Sequence, residues 1–68
     1  MDKHLQESML CELKEGRIKT LLFLRNGVQM RGFVEDYDDL AILLECPDCK
    51  KLVYLGVLST IQPLGNEE

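Results

Sequence analysis

The chain has 68 residues, 46% of them apolar and 29% charged, with a formal net charge of −4. That length holds a single domain with a small core, and below roughly 70–80 residues chains commonly add a metal, disulfides or an oligomeric interface. The negative charge excludes a protein that grips nucleic acid by bulk attraction, and no apolar run approaches the ~20 residues that span a bilayer.

The first 16 residues, MDKHLQESMLCELKEG, mix charged and apolar side chains and do not read as a secretory leader, so a cytoplasmic location is expected. Leu5, Met9, Leu10 and Leu13 fall on one helical face, which predicts a helix over about residues 4–15 with Gly16 as its stop. From Lys19 the period shortens. TLLFL (20–24) is a first strand. Asn26-Gly27 signals a two-residue hairpin turn, because both central positions accept positive φ. VQMRGFVEDY (28–37) is a second strand bent at Gly32, and LAILLE (40–45) a third. CPDC then turns at Pro47 and Asp48. KLVYL (51–55) and VLSTI (57–61) complete five strands, with Pro63 ending the last and a frayed tail over 63–68. The expected class is mainly β with one N-terminal helix. Its five short strands (about 19–62) form a strongly bent antiparallel sheet or small open barrel, in one domain spanning 1–68. Such a barrel keeps free edges, and pairing them with identical neighbours closes a ring.

The residues give no enzyme signal. The single histidine, His4, sits near the N-terminus, where a solvated role is expected. Glu35, Asp36, Asp38 and Asp39 mimic an acid/base or magnesium cluster, but near a strand bend such carboxylates read as a solvated rim. Cys11, Cys46 and Cys49 are an odd number, read as thiols or metal ligands and not as a disulfide framework. The plain reading of Cys46-Pro47-Asp48-Cys49 is a tight turn with two thiols, with no cofactor. Half of a zinc site and a redox disulfide are the alternatives, because zinc needs four ligands and one turn supplies two.

LQESML (5–10), LLFLRNGVQMRGFVEDYD (21–38) and VYLGVLSTI (53–61) together resemble the bacterial Sm-like RNA chaperone family Hfq, in its Gram-positive forms, over about residues 5–62. That family carries L-Q-E-x-x-L, N-G-x-x-x-x-G, a Y/F-D pair and Y-K-H-A-I-S-T. Asn26, Gly27, Gly32, Tyr37, Asp38, Ser59 and Thr60 fall in register with it. The resemblance implies an Sm-like fold and a homo-hexameric ring, made by pairing the fourth strand of one subunit with the fifth of the next. It also implies U-rich RNA on the helix-bearing proximal face and A-rich or purine-rich RNA on the distal face. Basic rim residues would anneal small regulatory RNA to mRNA in post-transcriptional regulation and the stress response.

Carried over residue by residue, the distal face would comprise Phe23, which stacks a purine, with Leu24, Asn26, Gly27, Val28, Met30, Ser59 and Thr60. Arg25, Arg31 and Lys51 would add positive charge. Lys51 replaces a base-reading glutamine, and Val28 thins one stacking wall. The proximal pocket departs from the family. Where relatives have Y-K-H this chain has Tyr54-Leu55-Gly56, and Leu55 and Gly56 donate no side-chain hydrogen bond. Leu40 replaces the aromatic on which uridine stacks, a loss of about 1–3 kcal/mol. Asp39 replaces an amide and repels phosphate, leaving Gln6 and Asp38. The rim keeps Lys14 and Arg17, with Glu12 and Glu15 beside them. The expectation is therefore an RNA-binding ring that works from the distal face, with a degraded proximal pocket. The alternative is a structural or regulatory ring that has lost RNA binding or mixes with a full-function homologue.

Overall fold

The computed structural model describes residues 3–65, and side chains from Leu5 onward. Helix α1 covers Lys3–Glu15. Five strands follow: β1 (Lys19–Leu24), β2 (Gln29–Tyr37), β3 (Ala41–Glu45), β4 (Lys50–Tyr54) and β5 (Leu58–Gly65). They form one antiparallel sheet in the order β4-β3-β2-β1-β5, so β4 and β5 are its two open edges. This is the helix-plus-five-strand architecture that the periodicity predicts.

The core is built from both layers. Leu10 and Leu13 of α1 pack on Val34 and Ile42, while Leu22, Leu44 and Val53 form a second cluster, and Leu58 and Ile61 touch both. Each such side chain stabilises by about 1.5–3 kcal/mol when fully buried. Leu5, placed by periodicity on the apolar face, is instead 66% exposed. Thr20 is fully buried, and its hydroxyl donates to the Ile18 carbonyl at 2.8 Å.

The helix ends at Glu15 with Gly16 next, as expected, and the positive φ falls on Arg17, at 49°. Arg17 N–H donates to Lys14 O at 3.3 Å and Ile18 N–H to Leu13 O at 3.1 Å, the paired bonds of a Schellman cap. Three local expectations are corrected, and the first is the hairpin, which is not a two-residue turn. Gly27 N–H donates to Leu24 O and Leu24 N–H to Val28 O, with positive φ at Gly27 and not at Asn26. That is a three-residue loop, Arg25–Gly27, ending in a left-handed glycine. Pro63 does not end the last strand, and Pro63–Gly65 are no frayed tail: β5 runs to Gly65 with Pro63 opposite Thr20. An edge strand tolerates the missing N–H. Residues 66–68 of the expected tail lie outside the described residues. Finally, Leu55 and Val57, expected at strand ends, form a 3₁₀ turn with Gly56 between them.

The bend in β2 has two parts. The pairing with β3 slips between Val34 and Asp36, leaving Glu35 as a bulge that sharpens the twist. Gly32, in the same strand, lets the Glu45 backbone approach closely.

Candidate nucleic-acid interface

The hairpin loop decides which side chains share a face. Its three residues set Phe23 opposite Gln29, Leu21 opposite Arg31 and Lys19 opposite Phe33. On the other side of β1, Phe23 faces Thr60 and Leu21 faces Gln62. Directly opposite residues project from the same side of a sheet. One face therefore carries the half-buried Phe23 ring between Gln29 and Thr60, with Arg31 and Gln62 one step along. Phe23 belongs to neither core cluster. Gln29, Gln62 and Phe33 were not singled out from the sequence, and the β1 pairing is what identifies them.

The loop borders this face. Asn26 Oδ1 accepts the Val28 N–H at 3.0 Å, and the Arg25 N–H donates to Val57 O at 2.8 Å, tying the loop to the 3₁₀ turn. Arg25, Asn26, Gly27 and Val28 are all exposed. Leu24 and Met30, which the resemblance implies as distal lining, are half-buried and pack against the Leu22–Leu44–Val53 cluster. Lys51 is exposed on β4 opposite Leu44, with β2 and β3 between it and β1, so one chain does not bring it beside Phe23. Ser59 and Thr60 lie with their hydroxyl oxygens 3.4 Å apart.

On the helix side, a groove of about 690 Å³ runs between α1 and β5, with Gln6, Met9, Leu55, Leu58 and Thr60 among its walls. Gln6 is half-buried there, and Leu55 packs against the first core cluster. Asp38 Oδ1 accepts the backbone N–H of Leu40 at 2.8 Å and of Ala41 at 2.9 Å. Asp38 thus holds the β2–β3 loop by its backbone and is more than part of a solvated rim. Leu40 is 72% exposed and Tyr54 58% exposed. Asp38→Ala should lower stability by about 1–2 kcal/mol, as charge-assisted bonds to two amides are lost. Asp38→Asn, which keeps a side-chain oxygen, should recover most of it; urea midpoints read the difference.

The basic rim residues are tethered. Lys14 Nζ lies 3.4 Å from Asp36 Oδ1 and 6.0 Å from the Tyr37 ring centroid. Arg17 lies 3.2 Å from Glu45 Oε1, its guanidinium 4.8 Å from the Phe33 ring centroid. Lys50 Nζ meets Glu35 Oε2 at 3.0 Å. The Tyr37 N–H, and then Lys14, hold the Asp36 carboxyl below the ordinary carboxylate range. Glu35, Asp36 and Asp38 therefore hold cations and backbone. Among the described residues, no three His, Cys, Asp or Glu side chains gather as a metal site. The Cys49 thiol, on an exposed residue, is pushed up first by partial desolvation from its neighbours and then by Asp48.

Residues 5–68 match the model of the Hfq protein family. The RNA-binding protein Hfq of Clostridium kluyveri is 38% identical over 60 residues, which cover 88% of this chain and 73% of the relative. That of Geobacillus kaustophilus is 33% identical over 63 residues, covering 93% and 84%. A crystal structure of the pleiotropic translational regulator Hfq superposes with a TM-score of 0.86 at 27% identity, covering 93% of this chain and 96% of the other.

Proposed function

The chain belongs to the Hfq family, a family of RNA-binding chaperones and not of enzymes, and from that premise we propose that it binds single-stranded purine-rich or A-rich RNA on the face that carries Phe23, as a homo-hexameric ring in the cytoplasm. The carrying observation is the grouping of a half-buried aromatic ring with Gln29, Thr60 and Arg31 on one side of the sheet. Base stacking on an aromatic contributes about 1–3 kcal/mol and needs no net positive charge on the protein. Hydroxyl and amide groups beside the ring supply hydrogen bonds to base edges.

Assembly completes this surface. β4 offers exposed Leu52 and Tyr54 on an open edge, and β5 offers the other open edge beside the apolar groove. Laying β4 of one copy along β5 of the next pairs both edges. It also carries Lys51 to within two strands of the neighbour's Phe23, a proximity that one chain lacks. The helix side supports little uridine recognition, because Leu40 and Leu55 stand where a stacking ring and a donor are needed and the acidic Asp38-Asp39 pair adjoins them.

The reading is tested by fluorescence anisotropy of the purified oligomer with A-rich, AG-repeat and U-rich oligonucleotides at low and moderate salt. Purine strands should bind at least about tenfold more tightly than U-rich ones, with a shallow salt slope because few phosphates are neutralised. Failure to bind any strand at low salt would leave the second reading, a structural or regulatory ring that acts alone or mixed with a full-function homologue. The pairing of Lys14, Arg17 and Lys50 with carboxylates favours that second reading.

A further inference from the structure

The β3–β4 turn has no part in the RNA reading. Glu45 pairs with Lys50, and the Cys46 N–H donates to the Cys49 carbonyl at 2.8 Å. The ladder thus extends one step beyond the strands, and Cys46 and Cys49 face each other across Pro47-Asp48. Opposed residues on antiparallel strands have Cβ atoms about 4.5–5.5 Å apart on the same side. Two free thiols are therefore held side by side. Two ligands of a tetrahedral ion with Zn–S bonds of about 2.3 Å sit just under 4 Å apart, which neighbouring Cβ atoms at this spacing allow. Cys46 is backed by the Leu22–Leu44–Val53 cluster, Cys49 is exposed, and Pro47 restricts the backbone between them.

One chain supplies two ligands and stops there, since among the described residues no third ligand type joins the pair. A structural zinc site is closed by four. The turn projects from the end of its hairpin, with Pro47, Asp48 and Cys49 all exposed, so two such turns can meet about a two-fold axis. Four thiolates around a divalent ion carry a net charge of −2, and the exposed Lys51, two residues after Cys49 in each copy, offsets it. We propose that Cys46 and Cys49 are half of a zinc site, completed by the same turn of a second copy, so that one ion with four thiolate ligands joins two chains. Each thiol gives up one proton to solvent as its sulfur binds, and no electrons are transferred. The site does not depend on RNA binding: a chain that binds no RNA would still bind the ion.

Cobalt(II) is the probe, titrated into the full-length protein freed of metal and kept reduced with a phosphine. The expected result is the absorption of a tetrahedral cobalt thiolate, saturating at one ion per two chains and displaced by zinc. Sedimentation should show a doubling of mass with zinc over a chelator-treated sample. Cys46→Ser and Cys49→Ser should each abolish the spectrum and the mass change, with far-UV circular dichroism unaltered. Saturation at one cobalt per chain without a mass change, or a titration that matches the double serine variant, would overturn the shared site.

Discussion

Gly32→Ala is expected to destabilise the protein by about 3 kcal/mol, at the upper end of what overpacking a core usually costs. A methyl group at this position would collide with the carbonyl oxygen of Glu45 and crowd the Glu45 carbonyl carbon at 3.1 Å and the Leu44 side chain at 3.2 Å. The first two neighbours are backbone, so no rotamer change makes room. β2 must draw away from β3 at the point where Phe33 pairs with Glu45. In a chain of this size each kcal/mol moves the melting temperature by roughly 4–8 °C, so the variant should melt more than 10 °C below the parent at equal protomer concentration. Gly56→Ala is the matched control, because a methyl group there meets nothing within 4 Å and should leave the melting temperature unchanged. Equal melting of the two variants would mean that the β2–β3 approach is slack.

The largest effect on function is expected from Phe23→Ala. Loss of one stacked base is worth about 1–3 kcal/mol, which is roughly five- to 150-fold in affinity. In the proposed ring, a strand that crosses several subunits would meet the loss at each, so the total for a long purine oligonucleotide should reach or exceed about a hundredfold. Stability should change little by comparison, because the ring is half-buried and outside both core clusters. Phe23→Tyr keeps the ring face and should bind within a few-fold of the parent. Anisotropy at one fixed salt concentration separates the variants, and an affinity unmoved by Phe23→Ala would place the platform elsewhere.

What could be read in advance follows from the range of each signal. The helix and all five strands are visible in the sequence because their periods are local and repeat over several residues. The fold family is visible because Asn26, Gly27, Gly32, Asp38, Ser59 and Thr60 keep their order. Asn26-Gly27 locates the first hairpin but not its length, and the length decides which side chains of β2 share a face with Phe23. A two-residue turn on Asn26-Gly27 would set Met30 across from Phe23. The three-residue loop moves the register by one, which turns Met30 into the core and Gln29 onto the face. Asn-Gly marks a turn without saying which of two loop lengths the flanking strands accept. The helix end shows the same limit. Gly16 is the residue that favours positive φ, yet the cap needs it one position later, where Arg17 is braced by Phe33 and Glu45. Those partners lie far along the chain, and nothing local announces them. Pro63 reads as a stop because sequence alone does not reveal which strand will lie at a sheet edge.

The three ion pairs change what salt does to this molecule. Lys14, Arg17 and Lys50 each already hold a carboxylate. A phosphate that arrives at one of these cations exchanges one anion for another instead of meeting a bare charge. The evicted carboxylate then gathers a cation from solution, while the nucleic acid sheds one. The ion traffic nearly cancels, and the attachment becomes a swap between internal and external anions, whose equilibrium depends on geometry and dehydration more than on ionic strength.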